Sequence, residues 1–184
     1  MKKINTEQAR EVKTAKEPGS ESMLADFFHE ELKEVFSAEQ RLSEALPELK
    51  MAASSGELVA ALEAECEQAR DHVYRVEEIF ELLGYRPEGK KSEAMEGLIK
   101  EAKRAIEETE NGTATRDTAL IIAAQKIDHY EIAVYAGMQQ VAVSLGYDSV
   151  ASILQNILSE KKETDMILTF ISENHINYEP VIEE

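Results

Sequence analysis

The 184-residue sequence contains no tryptophan, one cysteine, four prolines and eight glycines. The single cysteine, Cys66, excludes an internal disulfide, so nothing in the cysteine content indicates an oxidising compartment. The scarcity of proline and glycine, together with abundant alanine, leucine, glutamate and lysine, favours helices over sheets. We therefore predict an all-α protein.

Long apolar runs are also missing. No segment is long and apolar enough for a membrane span, and the N-terminus lacks the apolar stretch of a secretory signal. The formal net charge of −17 opposes binding to DNA, RNA or an anionic membrane, because each carries charge of the same sign. We expect a cytoplasmic protein that attracts cations and binds neither nucleic acid nor membrane.

Apolar residues recur at steps of three and four over four long segments, which is the spacing of helices with one buried face. The polar residues 1–21 are predicted to be a flexible tail, and 22–184 a single domain. The predicted long helices cover residues 22–53, 57–83, 115–145 and about 148–173, and the long connection after the second helix contains a shorter helix at 92–109.

Two tight helical hairpins joined by one long crossover predict a ferritin-like, up-down-down-up four-helix bundle. In such bundles, metal sites are built from inward-facing carboxylates and histidines on facing helices. The lengths and periods of the helices alone support this prediction.

Polar residues interrupt all four buried stripes. Counted from the first turn, Glu39 and His72 lie at the same level on the first and second helices, and Glu65 lies about two turns nearer that turn and is a weaker candidate. Counted from the second turn, the third helix faces the fourth at the same level. The residues involved there are Asp128 and Glu131 on the third helix and Glu160, Glu163 and Asp165 on the fourth.

Buried carboxylates are costly unless they take up protons, pair with cations or bind a metal. Oxygen ligands with one imidazole suit one or two iron or manganese ions, and a bridged pair of ions could activate peroxide or dioxygen. In that case Tyr135 is placed to supply a proton or an electron. The predicted metal ligands are Glu39, His72, Asp128, Glu131, Glu160 and Glu163.

Several segments resemble the bacterial YciE/YciF family of ferritin-like stress proteins. The similarity covers about Met23 to Asn177, and the pairing of the fourth and third of these segments is specific to the family. The segments are EELKEVFSAEQRLSEALPELKMAASS, HVYRVEEIFELLG, GKKSEAMEGLI, ALIIAAQKIDHYEIAVY and LSEKKETD.

The resemblance implies a rubrerythrin-like bundle, a homodimer, a role in bacterial stress responses and a di-metal centre on the residues named above. Two features depart from a ferritin-like pattern. A second helix of this kind reads Glu-x-x-His, yet Ala69 stands three residues before His72, and the fourth helix has no histidine. A one-metal or vestigial site is therefore open.

Two functions remain as alternatives. The first is a stress-response protein with iron or manganese in its core, which carries out peroxide or oxygen and iron redox chemistry. The second is a metal-free dimeric helical protein that acts through its surface, with a vestigial site. The number of ligands separates them, because a second histidine would favour the first and the missing Glu-x-x-His favours the second.

Overall fold

The computed structural model of the chain describes residues 22–176, which form helices joined by turns and contain no strand. The all-α prediction is confirmed, and the helix bounds agree with those predicted to within about two residues, the usual scatter at helix ends. The helices are α1 Met23–Ala52, α2 Gly56–Leu82, α3 Glu93–Glu108, α4 Ala114–Leu145 and α5 Asp148–Ile171, and a π-helical turn follows at Ser172–Ile176.

The predicted tail, 1–21, and the last residues, 177–184, lie outside the described range. Among the helices inside it, none has both the length and the apolar character needed to cross a membrane.

The helix ends follow from local chemistry. Ser22, Ser55, Ser92 and Thr113 cap α1 to α4, each accepting a hydrogen bond from a backbone N–H in the first turn. Helix α4 ends at Gly146, whose φ of 75° is a left-handed conformation that a residue without Cβ adopts at little cost.

Two hydrophobic clusters fill the bundle, and a polar layer separates them. On α1, Leu42 belongs to one cluster and Phe36 to the other, and the buried Glu39 lies between them. On α4, Ile127 and Tyr135 belong to opposite clusters in the same way. The polar residues of all four long helices therefore fall in one zone near mid-length.

Helix α3 packs against α1 and α4. Arg41 Nε on α1 donates to Glu96 Oε1 on α3 at 2.8 Å, and the hydroxyls of Ser92 and Tyr130 lie 3.0 Å apart. These contacts attach the crossover to the outside of the four long helices.

Asp117, in the first turn of α4, fixes the turn between α1 and α2. Its buried carboxylate accepts hydrogen bonds from the backbone N–H groups of Ser54 and Ser55, both at 2.8 Å, and from the Ser54 hydroxyl at 2.7 Å. Three hydrogen bonds to one ion join the first hairpin to the second.

We predict that Asp117→Ala lowers the free energy of unfolding by about 2 kcal/mol or more, because hydrogen bonds to a charged acceptor contribute roughly 1.5–3 kcal/mol each and two backbone donors lose their partner. Urea denaturation of the variant and the wild type measures the difference. Glu63→Ala, on an exposed position of the same hairpin, is the control and should stay within about 0.5 kcal/mol.

Candidate metal centre

The structure buries four of the six predicted ligands and leaves two towards solvent. Glu39, His72, Asp128 and Glu131 are between 0% and 3% exposed. The Glu160 side chain is 30% exposed. Glu163 is exposed and lines a surface groove.

A lysine lies at the centre of the buried carboxylates. Lys161 on α5 is fully buried, and its Nζ lies 2.7 Å from Glu131 Oε2, 3.7 Å from Asp128 Oδ1 and 3.9 Å from Glu65 Oε1. Its ammonium thus forms ion pairs with side chains of α2 and α4. Glu65, treated above as a weak candidate, belongs to this cluster because the long lysine side chain reaches its level.

The sequence contains a signal for Lys161 that a different choice of stripe obscured. The buried positions of α5 follow Ile157, Lys161, Thr164 and Leu168 at steps of four and three, so Lys161 occupies a core position. The stripe drawn through Glu160 and Ile167 lies one residue off, and Ile167 is 45% exposed.

His72 connects the buried layer to the surface. Its Nε2 lies 2.8 Å from Glu160 Oε2, and its Nδ1 lies 3.7 Å from Glu39 Oε1. The other Glu160 oxygen accepts a hydrogen bond from Arg75 at 2.8 Å, and Arg75 also pairs with Asp71 at 2.5 Å. Glu160 therefore has two protein partners, His72 and Arg75.

Tyr135 closes the opposite side of the layer. Its hydroxyl donates to Glu39 Oε1 at 2.5 Å, a short bond typical of a hydroxyl on a carboxylate. Burial raises the pKa of the Tyr135 phenol well above its ordinary value, with a further rise from the negative charge of Glu39. This tyrosine therefore keeps its proton and remains a donor.

The carboxyl groups differ in how readily they ionise. Burial raises the pKa of Asp128 to about 8, with Glu65 adding to the rise and Lys161 opposing it. Burial also raises the pKa of Glu131 well above its ordinary value. Burial would raise the pKa of Glu39 as well, but His72, Lys161 and Tyr135 together lower it to about 2.

Lys161 remains charged. Burial lowers its pKa, but Glu131, Glu65, Glu39 and Asp128 outweigh burial and raise it. The layer therefore contains a permanent ammonium beside the ionised Glu39, while burial favours the protonated forms of the carboxyl groups nearest to the ammonium.

Several buried oxygens have no well-aligned hydrogen-bond partner among the described residues. They include both oxygens of Glu65, Asp128 and Glu131, and Oε2 of Glu39. These are hard donors of the kind that iron and manganese prefer. Their arrangement does not fit a metal, however, because within residues 22–176 no group of three or more acidic, histidine or cysteine side chains could hold one, and an ammonium stands among them.

The remaining candidates lie away from this layer. Cys66 is buried among apolar side chains, as its role as a small hydrophobe predicts. His129 is exposed and pairs with Asp165 at 3.2 Å. His29, predicted to be at the surface, is half-buried and stacks on Tyr85 at 3.8 Å between ring centroids, and the side chain of His175 lies outside the described residues.

We predict that Asp128→Asn stabilises the protein increasingly as the pH rises from about 4 to about 8. A carboxyl group whose pKa rises to about 8 on folding contributes stability that is present below its unfolded value and is lost as the pH rises through its folded value. The difference should grow by at most about 1.4 kcal/mol per pH unit for one proton.

Urea denaturation of both proteins at a series of pH values measures this difference. Glu163→Gln, an exposed change of the same kind on α5, should show no such trend. Parallel pH profiles for Asp128→Asn and the wild type would contradict the assignment.

Comparison with known proteins places the chain in a family. Residues 23–179 match the family model described as "Domain of unknown function (DUF892)". Protein YciF of Escherichia coli is 39% identical over 155 residues, which cover 84% of this chain and 93% of YciF.

Two solved structures extend the likeness to the fold. The crystal structure of the E. coli stress protein YciF has a TM-score of 0.81 at 38% identity, covering 86% of this chain and all of that one. YcfI of Rhodopseudomonas palustris, described as "a putative structural protein", has a TM-score of 0.78 at 30% identity and covers 80% of this chain and 94% of that one. The resemblance drawn from the sequence segments is thus confirmed, and the chain belongs to the DUF892 family as a relative of the stress protein YciF.

Proposed function

We propose that this chain is a metal-free stress-response protein of the DUF892 family that acts as a structural or interaction protein through its helical surface. One observation carries the proposal: the ammonium of Lys161 stands at the centre of the buried carboxylates. The proposal adopts the second of the two functions left open by the sequence.

The argument is electrostatic. A redox metal centre needs carboxylates that converge on a cation and coordination positions that remain open to a substrate. Here Glu131 lies 2.7 Å from an ammonium that cannot diffuse away, and a divalent ion at the same place would meet a like charge at close range. The buried positive charge thus supports a structural role for the layer.

The long helices support a ferritin-like topology for this scaffold. α1 and α2 are joined by a short turn, as are α4 and α5, and the segment between α2 and α4 is long and contains α3. One long crossover between two helical hairpins is the arrangement typical of ferritin-like folds. On this proposal the bundle is kept while the metal chemistry of such folds is not.

A metal-binding role remains as the second candidate because one observation favours it. Oxygens of Glu65, Asp128 and Glu131 are buried without well-aligned hydrogen-bond partners among the described residues, and a metal ion would satisfy them. An iron or manganese ion bound there would supply redox chemistry to the layer, with Glu39 and His72 as the nearest further donors.

Metal content distinguishes the two candidates. We predict that protein purified from cells grown with added iron and manganese contains far less than one ion per chain by elemental analysis. A Glu131→Ala, Glu160→Ala double variant measured alongside should give the same low value. Near-stoichiometric iron or manganese in the wild type that is lost in the double variant would contradict the proposal and favour the second candidate.

Self-association is part of the proposed surface function. Met166 and Phe170 lie one helical turn apart on α5 and are 64% and 58% exposed, so they present apolar area on one face. A second copy of the chain is the partner we propose for this face. The cytoplasmic location expected from the sequence stays a prediction.

We predict that the wild type sediments at about twice the chain mass of 20.6 kDa and that Met166→Lys with Phe170→Lys shifts it to the monomer, because two charges would be buried at the interface. Sedimentation velocity over a range of concentrations measures this. Glu163→Lys, which adds a lysine at an exposed acidic position of the same helix, should leave the dimer intact, and a monomeric wild type would contradict the prediction.

A further inference from the structure

Lys161 approaches the polar layer from α5, and the layer offers it oxygens from two other helices. Glu65 on α2 and Asp128 and Glu131 on α4 all lie within 3.9 Å of its Nζ. Carboxylates that converge on one point from several helices are the arrangement by which bundles hold cations. In this chain the cation at that point is part of the polypeptide.

The fit between the ammonium and the oxygens is incomplete. An ammonium has three donors, yet Nζ and both oxygens of Glu65, Asp128 and Glu131 lack well-aligned hydrogen bonds among the described residues. Their attraction to Lys161 is therefore mainly that of charges at short range. Such a contact requires positive charge at that position more than the particular geometry of a lysine.

The volume that Lys161 fills is also relevant. Its whole side chain is buried, so truncation to alanine removes the ammonium and most of its methylenes from the interior. The space left would be lined by acidic side chains on the side where the ammonium stood, and a polar space of that size admits water or a hydrated ion. A buried, uncompensated group of carboxyls strongly favours the entry of a cation.

We propose that the Lys161 ammonium takes the position of a divalent cation, so that its removal uncovers a divalent-cation site built from Glu65, Asp128 and Glu131. This inference rests on the proposed metal-free function of the wild type. The ligand class is a hard divalent ion such as Mn²⁺, because all three groups provide carboxyl oxygens. The site is latent in the native chain and closed by one side chain.

The test uses the full chain and manganese(II) chloride as the probe. The Lys161→Ala variant should be less stable than the wild type without Mn²⁺ and should bind about one Mn²⁺ per chain, measured by loss of the electron paramagnetic resonance signal of free Mn²⁺. At a hundredfold excess over Kd, its melting temperature should rise by about 5–10 °C.

Matched variants separate this effect from a general change of charge. Lys162→Ala removes the same charge from the adjacent, exposed position and should show neither Mn²⁺ binding in the layer nor a change in melting temperature with Mn²⁺. Adding Asp128→Asn and Glu131→Gln to Lys161→Ala should abolish the Mn²⁺ response, because two of the three carboxylates are lost.

The outcomes separate this inference from the proposed function. If Lys161→Ala fails to bind Mn²⁺, or folds neither with nor without it, the latent site is refuted, since a competent site would supply the missing charge. If the wild type itself binds one Mn²⁺ that the triple variant does not, the proposed metal-free function fails as well. A silent wild type with a responsive Lys161→Ala variant supports both.

Discussion

The buried ion pair of Lys161 with Glu131 is the contact on which the rest of the interior depends. Taking a single carboxylate out of water costs several kcal/mol, and this layer contains Glu39, Glu65, Asp128 and Glu131 at 3% exposure or less. Without the ammonium those groups would have to be protonated or exposed. Breaking a buried pair by removing one partner typically costs about 3–5 kcal/mol, so one side chain of α5 strongly affects the stability of the whole bundle.

The polar layer also explains how the surface and the core are connected. Arg75 and Glu160 lie at the edge of the bundle, His72 lies inside it, and Tyr135 donates to Glu39 beyond His72. Because the layer lies between two hydrophobic clusters, helices that slid along each other would separate these partners. The polar contacts thus fix the register of helices that apolar packing alone would hold less specifically.

The comparison with YciF and YcfI fits a scaffold whose interior varies more freely than its fold. The chain retains a similar fold at 38% and 30% identity, while Ala69 stands where a Glu-x-x-His motif would have its glutamate and Lys161 supplies a cation from the chain itself. A protein cation in the layer lets the same helices pack without an external ion. The surface, which keeps a strong negative charge and exposed apolar residues, is then free to provide the function.

The sequence by itself determined the helices and the level of the polar residues. Steps of three and four, the serine and threonine caps and Gly146 act locally, so the bounds of the helices and the burial of Glu39, His72, Asp128 and Glu131 could be predicted from spacing alone. Only the tertiary structure decided which cation faces the carboxylates, because a shift of one residue in the stripe of α5 exchanges Glu160 for Lys161. The rotation of a helix about its axis is set by packing with its neighbours, and the length of a lysine lets it reach Glu65 at a level that counting along the chain assigns elsewhere.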